Sequence, residues 1–166
     1  DMNHVEATAR EDGGQWRLTG RKCVVINGDS ADLLIVPART SGGADDAAGI
    51  TLFLVDTKVP GLTVKGFPNM DGTRSAELEL ADVGADAVIG EVGQGYPALE
   101  WAVDRAIAAL CGEAVGAMER GLEMTAAYLN ERKQFGQPLA RFQVLQHRVA
   151  DMFSALEQVR AAALMA

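Results

Sequence analysis

The residues of this sequence with chemistry to offer gather in one stretch, residues 131–152, which reads ERKQFGQPLARFQVLQHRVADM. From position 132 to position 150 it carries four cations, Arg132, Lys133, Arg141 and Arg148, and no acid. The rest of the chain is acidic, with 15 Lys+Arg against 23 Asp+Glu and a formal net charge of -8. An acid-free run in an acidic protein suits a bound anion, because a carboxylate at that place would repel it. Phe135 and Gly136 add an aromatic face on a permissive backbone, and Gln143 adds an amide that both donates and accepts. Arginine, aromatic ring and amide together suit a phosphate-bearing aromatic ligand such as a nucleotide. The same cations would equally complement the C-terminal dipole of a helix, so a well-capped helix accounts for the run as well.

The other polar groups make weaker sets. His147 and Asp151 stand one helical turn apart, as metal ligands often do, but without a third ligand an i,i+4 surface pair fits them better. Glu100 and Asp104 form an i,i+4 carboxylate pair beside Trp101, which reads as a solvated helix face balanced by Arg105. His4 reads as an exposed strand residue. The glycine-rich residues 90–95, GEVGQG, lack the GxGxxG spacing of a phosphate loop. No Ser/His/Asp or Cys/His nucleophile set is present. Residues and spacing alone give a plausible anion site and no catalyst.

Two patterns of elements must position these groups. Up to about Gly90 the chain alternates short β-type runs with turn signals, at residues 5–10, 15–19, 22–27, the LLIVPA run, 50–56, 62–65 and 76–80. About seven short strands predict an antiparallel β-barrel or sandwich. This half carries 8 basic and 14 acidic residues. After EVGQGYP the period becomes helical: residues 98–130 contain no proline and place Val103, Ile107, Leu110, Cys111, Ala114, Val115, Met118 and Leu122 on one stripe. A second helix is predicted from about Arg141 to the end, with Pro138 in the connection. The fold class expected is α+β: a β domain over residues 1–92, then two long antiparallel helices over residues 93–166.

Composition narrows the classes. The acidic surface argues against general nucleic-acid binding. Cys23 and Cys111 match no metal spacing and read as reduced thiols in a cytoplasmic protein. No signal peptide or membrane-spanning run is visible. The chain begins in a strand-like pattern and ends in the helix-forming run LEQVRAAALMA, so a fragment of a longer protein is expected.

Several segments, in this order, resemble one family. WRLTGRKCVVINGDSADLLIVPART, ITLFLVD with PGLTV, ELELADV before a glycine-rich turn, and ERKQFGQPLARFQVLQHRVADM are similar to the flavin-dependent acyl-CoA dehydrogenases. The resemblance implies that residues 1–92 are the middle β domain and residues 93–166 the first two helices of a C-terminal four-helix domain. It implies FAD as cofactor, with Arg132, Lys133, Gln134, Phe135, Phe142 and Gln143 contacting the FAD of a neighbouring subunit, the arginine near the pyrophosphate. It rests the flavin ring near Val24 and Ile26, where the family usually has Trp and Thr. It puts acyl-CoA near Asp104 and Arg105, two residues off the usual register, and the catalytic glutamate outside this chain.

The activity implied is oxidation of an acyl-CoA to the trans-2-enoyl-CoA. The partners implied are an electron-transfer flavoprotein or similar acceptor and further subunits in a homo- or hetero-oligomer. The stretches VVINGDSAD, ALCGEAVGAM, KQFG and FQVLQHR are most similar to small subunits of pimeloyl-CoA dehydrogenase-like enzymes. Two alternatives accompany this reading: a non-catalytic subunit that completes a partner's FAD site, and an acyl-CoA oxidase-like or nitroalkane-type relative.

Overall fold

The computed structural model describes residues 2–166, and the chain divides into two compact units, Asp1–Trp101 and Ala102–Ala166. The first is built on one seven-stranded sheet. Its strands are β1 (Thr8–Asp12), β2 (Gln15–Ile26), β3 (Leu33–Arg39), β4 (Ile50–Asp56), β5 (Leu62–Pro68), β6 (Arg74–Gly84) and β7 (Ala87–Ile89), in the order β5-β6-β2-β1-β3-β4-β7. The expected α+β class holds, but the sheet is mixed rather than wholly antiparallel. β2 folds back on β1 as a hairpin, and β3 then returns on the other side of β1, parallel to it at Thr8 and Arg39.

The sheet curls on itself, as a barrel- or sandwich-like packing requires. β2 and β4 are three steps apart in the sheet, about 14 Å if it were flat. Yet the Trp16 and Phe53 rings meet with centroids 5.4 Å apart. The segment leaving β6 joins the same two strands: the Ala85 amide donates to Trp16 O at 3.1 Å and the Asp86 amide to Leu54 O at 2.9 Å. Inside lie Leu18, Val36, Phe53, Val55, Leu78 and Val83, almost completely buried. Along much of β6 buried and exposed residues alternate, the pattern that fixes register when one face is buried, while β4 is buried almost throughout.

Two expected strands, 15–19 and 22–27, are one. The intervening Thr-Gly is not a turn: the pairing with β6 runs on from Leu18 opposite Val83 to Gly20 opposite Leu80, with the extra residue bulged on β6, where Asp82 takes φ 57, and Gly20 has φ 144. A Cβ on Gly20 would lie 2.7 Å from the Ala7 Cα, so only glycine lets the two backbones approach there. β7 was not expected, since its three residues are too few for an alternating pattern to register.

Arg39 organises one end of this unit. Its side chain is buried, and its guanidinium donates to five carbonyls: Asn3 (2.9 Å), Val5 (3.5 Å), Ala44 (2.7 Å), Asp46 (2.6 Å) and Ala48 (2.8 Å). Thus one buried cation orders both the SGGADDAAG loop and the segment before β1. His4, just ahead of β1 rather than within it, adds an exposed bond from Nδ1 to Asp45 at 2.6 Å. The glycine-rich residues 90–95 form a staple and no phosphate loop. Gly93 N–H donates to the buried Thr51 hydroxyl at 2.8 Å, and Gly95 N–H to Ile50 O at 2.7 Å.

α1 runs from Tyr96 to Glu131 and α2 from Gln143 to Ala163. Within the second unit the two helices are antiparallel: near the far end of α2, Arg160 bonds Glu119 of α1 at 2.9 Å. Where α2 begins, Gln146 and Val149 share a cavity of about 210 Å³ with Ala126, Leu129 and Asn130 of α1. No residue of α1 is buried, and α2 buries only Leu156. Ile107 (49% exposed), Leu110 (61%), Met124 (58%) and Tyr128 (57%) therefore stand open. Among the described residues, no helix is long and apolar enough to cross a membrane. Cys23 and Cys111 are both free thiols.

Two outcomes follow for the β unit. Replacing Arg39 by Met leaves several buried carbonyls without a donor, so Arg39→Met is expected to lower its stability by about 3 kcal/mol in a urea titration. The bond to Asp45, with a smaller contribution from Glu6, raises the His4 pKa above its ordinary value. A raised folded-state pKa contributes stability that is fully present below about pH 6.5 and is lost as pH rises through the folded value. An NMR titration should find the His4 imidazole above its ordinary pKa, and Asp45→Asn should bring it down.

Candidate functional site

The acid-free run sits at the reversal between the two helices. The Arg132 amide still donates to Tyr128 O at 2.8 Å, so α1 carries Arg132 at its end. The next residues form a minimal hairpin, β8 (Lys133–Gln134) against β9 (Gln137–Pro138). The Leu139 amide closes its base on Arg132 O at 2.8 Å. Only Phe135 and Gly136 remain for the turn, with φ 54 and 77. Two successive positive φ angles are the type I′ geometry that two-residue hairpins favour. Glycine suits the second place, but the first normally takes Asn, Asp or Gly, and a bulky residue there costs about 1 kcal/mol or more.

That strained residue holds its ring out into solvent, 90% exposed. The ring pairs with that of Phe142 in a T-shaped arrangement, with centroids 6.1 Å apart and planes at 83°. A 3-10 turn, Leu139–Arg141, leads from the hairpin to Phe142, the N-cap residue of α2. Phe142 offers no side-chain cap, so the positive end of the α2 dipole is left without a carboxylate or hydroxyl. Gln143 is the first residue of that helix and is exposed.

Charge around the turn is unbalanced. Among the described residues, Arg132, Lys133 and Arg141 form no ion pair; Arg148 alone of the four finds an acid, Asp151 at 3.7 Å. Arg132 and Lys133 line an open depression of about 390 Å³ with Tyr128 and Glu131. The donor set fits a dinucleotide such as FAD: cations for the diphosphate, two ring faces for its aromatic parts, and the amides of Gln134 and Gln143. Helix-dipole capping explains Arg132 and Lys133 but gives no reason for a strained, exposed Phe135.

In the β unit, β2 bulges beside Val24. Its pairing with β6 passes from Lys22 and Leu78 to Val25 and Ala76, with one extra residue on β2. Val24 takes φ 53, unusual for a β-branched side chain, and Asn27 φ 55. Val24 (63%) and Ile26 (72%) are both exposed while Val25 packs on the core. The bulge thus presents two aliphatic side chains from a strained backbone. Neither can donate a hydrogen bond by side chain. Lys22, just before the bulge, is half-buried, and burial pushes its ammonium pKa down.

The remaining sequence candidates separate. Asp104 and Arg105 are exposed on α1. Arg105 lies 27 residues before Arg132 on the same helix, about 40 Å along its axis at 1.5 Å per residue. Asp151 engages Arg148 rather than a metal, and no group of three metal-type ligands exists among the described residues. The residue that sequence reasoning missed is Gln146, whose amide donates to Ala140 O at 2.8 Å within the 3-10 turn. Its reach depends on that turn, which no sequence signal announces.

Comparison with known proteins gives these features a family. Residues 1–83 match the model of the acyl-CoA dehydrogenase middle domain, and residues 93–166 that of the acyl-CoA dehydrogenase C-terminal domain. A probable acyl-CoA dehydrogenase, YngJ of Bacillus subtilis (strain 168), is 32% identical over 100% of this chain and 45% of its own. The butyryl-CoA dehydrogenase of Megasphaera elsdenii superposes with a TM-score of 0.88 at 30% identity, covering 98% of this chain and 44% of that one. A glutaryl-CoA dehydrogenase from Mycobacterium smegmatis, solved in complex with FADH2, gives 0.84 at 30% identity, covering 97% and 41%. The chain thus spans less than half the length of these relatives. With both of its units matched in order and in fold, it belongs to the acyl-CoA dehydrogenase family.

Proposed function

We propose that this chain is part of an FAD-dependent enzyme that oxidises an acyl-CoA to the trans-2-enoyl-CoA. The observation that supports this most is the trio Arg132, Lys133 and Arg141, free of carboxylate partners in a turn that also carries two paired rings, one of them on strained backbone. In this reading Arg132 and Lys133 bind the diphosphate, Phe135 and Phe142 lie against aromatic parts of the cofactor, and Gln134 and Gln143 hydrogen-bond to it. Val24 and Ile26 give an apolar wall to the flavin ring, with hydrogen bonds left to the backbone. Asp104 and Arg105 serve the acyl-CoA. Their separation of about 40 Å from Arg132 supports a clamp that reaches the cofactor of a neighbouring subunit. The open apolar residues of α1 support the same assembly, since an oligomer would cover them.

The chemistry the bound cofactor supplies is acceptance of the β hydride. This chain's residues hold and orient it and keep water from one side. No base is assigned among them; the α proton goes to a carboxylate of another segment or subunit. Re-oxidation is assigned to an electron-transfer flavoprotein or similar acceptor, and the free thiols of Cys23 and Cys111 suit a cytoplasmic setting. The similarity to pimeloyl-CoA dehydrogenase-like small subunits suggests a substrate with a terminal carboxyl.

One observation favours a second reading. Val24 and Ile26 expose aliphatic side chains where the family usually offers Trp and Thr. A subunit so altered could lend its clamp to a partner's FAD and hold none against its own β unit. The visible flavin spectrum of the full-length subunit separates the two. Colour that bleaches on adding acyl-CoA to the protein expressed alone supports the first; colour only on co-expression with a larger subunit supports the second. In either case Arg132→Gln is expected to weaken FAD binding about 10- to 100-fold, more at low salt than at high. Unchanged affinity would remove Arg132 from the clamp.

A further inference from the structure

One side chain outside the set of cations and rings bears on how the turn is held. The chain between β9 and α2 changes from a 3-10 turn to an α-helix at Phe142. At that junction the backbone supplies bonds from Phe142 N to Leu139 O (3.0 Å), Leu145 N to Phe142 O (3.0 Å) and Gln146 N to Phe142 O (3.2 Å). The junction sets where Arg141, Phe142 and Gln143 point. Gln146 reaches back six residues, and its Nε2 donates to Ala140 O at 2.8 Å. It is thus the side chain that ties the first turn of α2 to the middle of the 3-10 turn. Through Phe142 the tie extends to Phe135, whose ring contacts no other aromatic ring.

We infer that Gln146 is a positioning residue for the cofactor clamp: by fixing Ala140 against α2 it sets the direction of Arg141, Phe142 and Gln143. This rests on the reading of the turn as an FAD site. A Gln146 with a merely structural role would stabilise the helix hairpin and leave affinity for the cofactor alone. A positioning role has the opposite signature, since one exposed hydrogen bond adds little to stability while a misdirected clamp loses several contacts at once.

The test uses the full-length subunit in its native oligomer, with apo protein titrated by FAD and, separately, by ADP. Gln146→Met keeps length and removes the donor. It is expected to raise the Kd for FAD about tenfold, with the apo melting temperature unchanged. An unchanged Kd overturns the proposal, whether or not the melting temperature falls. So does a rise in Kd that vanishes when the titration is repeated well below the apo midpoint, because that is a stability effect. Arg132→Gln run in parallel keeps the two claims apart. Loss of binding in Arg132→Gln with none in Gln146→Met sinks the positioning role alone; no loss in either sinks the cofactor reading itself.

Discussion

Two consecutive positive φ angles, at Phe135 and Gly136, let the chain reverse in two residues between its long helices, and what the helical unit offers a ligand hangs on that reversal. A longer loop would have scattered Arg132, Lys133 and Arg141 over a flexible segment. The tight turn instead keeps them in one short ordered segment with the paired rings of Phe135 and Phe142. The cost is a bulky residue in the left-handed region with its ring in water, which stability alone would not favour. Cations without counter-ions add a repulsion that a bound dianion would relieve. Strain, exposed ring and unbalanced charge occur within a few residues of one another, and the proposed ligand would account for all three.

The β unit solves a similar problem by other means. A bulge in β2 needs a partner strand that does not move, or the extra residue would simply slip the register. β6 supplies it, paired along both β2 and β5 and sealed beneath by Leu78, Leu80 and Val83. At the other end Arg39 gathers five carbonyls and ties down a loop rich in glycine and aspartate. Val24 can therefore stay at φ 53 with its side chain outward, because the surrounding sheet over-determines it.

Much of this was legible in the sequence, for identifiable reasons. The acid-free run marked the turn because charge needs no structure to be counted. β4, with ITLFLVD, and the long helix declared themselves by period and composition. What stayed hidden depends on pairing geometry. Thr19-Gly20 looks like a turn and is continuous strand, because the close approach of Ala7 cannot be seen along one strand. The parallel step at β1 and β3 is a consequence of topology, not of any local residue. Arg39 reads as an ordinary surface arginine until the carbonyls of two distant segments close on it. Gln146 was passed over because its acceptor lies in a 3-10 turn. Val24 and Ile26 stood out in the sequence only by resemblance; the positive φ of Val24 and the exposure of both side chains are facts of the structure alone.

The most direct measurement is a structure of the full-length protein in its oligomer with FAD bound. The account predicts a pyrophosphate oxygen within about 3 Å of the Arg132 guanidinium, with an aromatic part of the cofactor against Phe135 or Phe142. An Arg132 paired with a protein carboxylate, and a diphosphate bound away from residues 132–143, would contradict it.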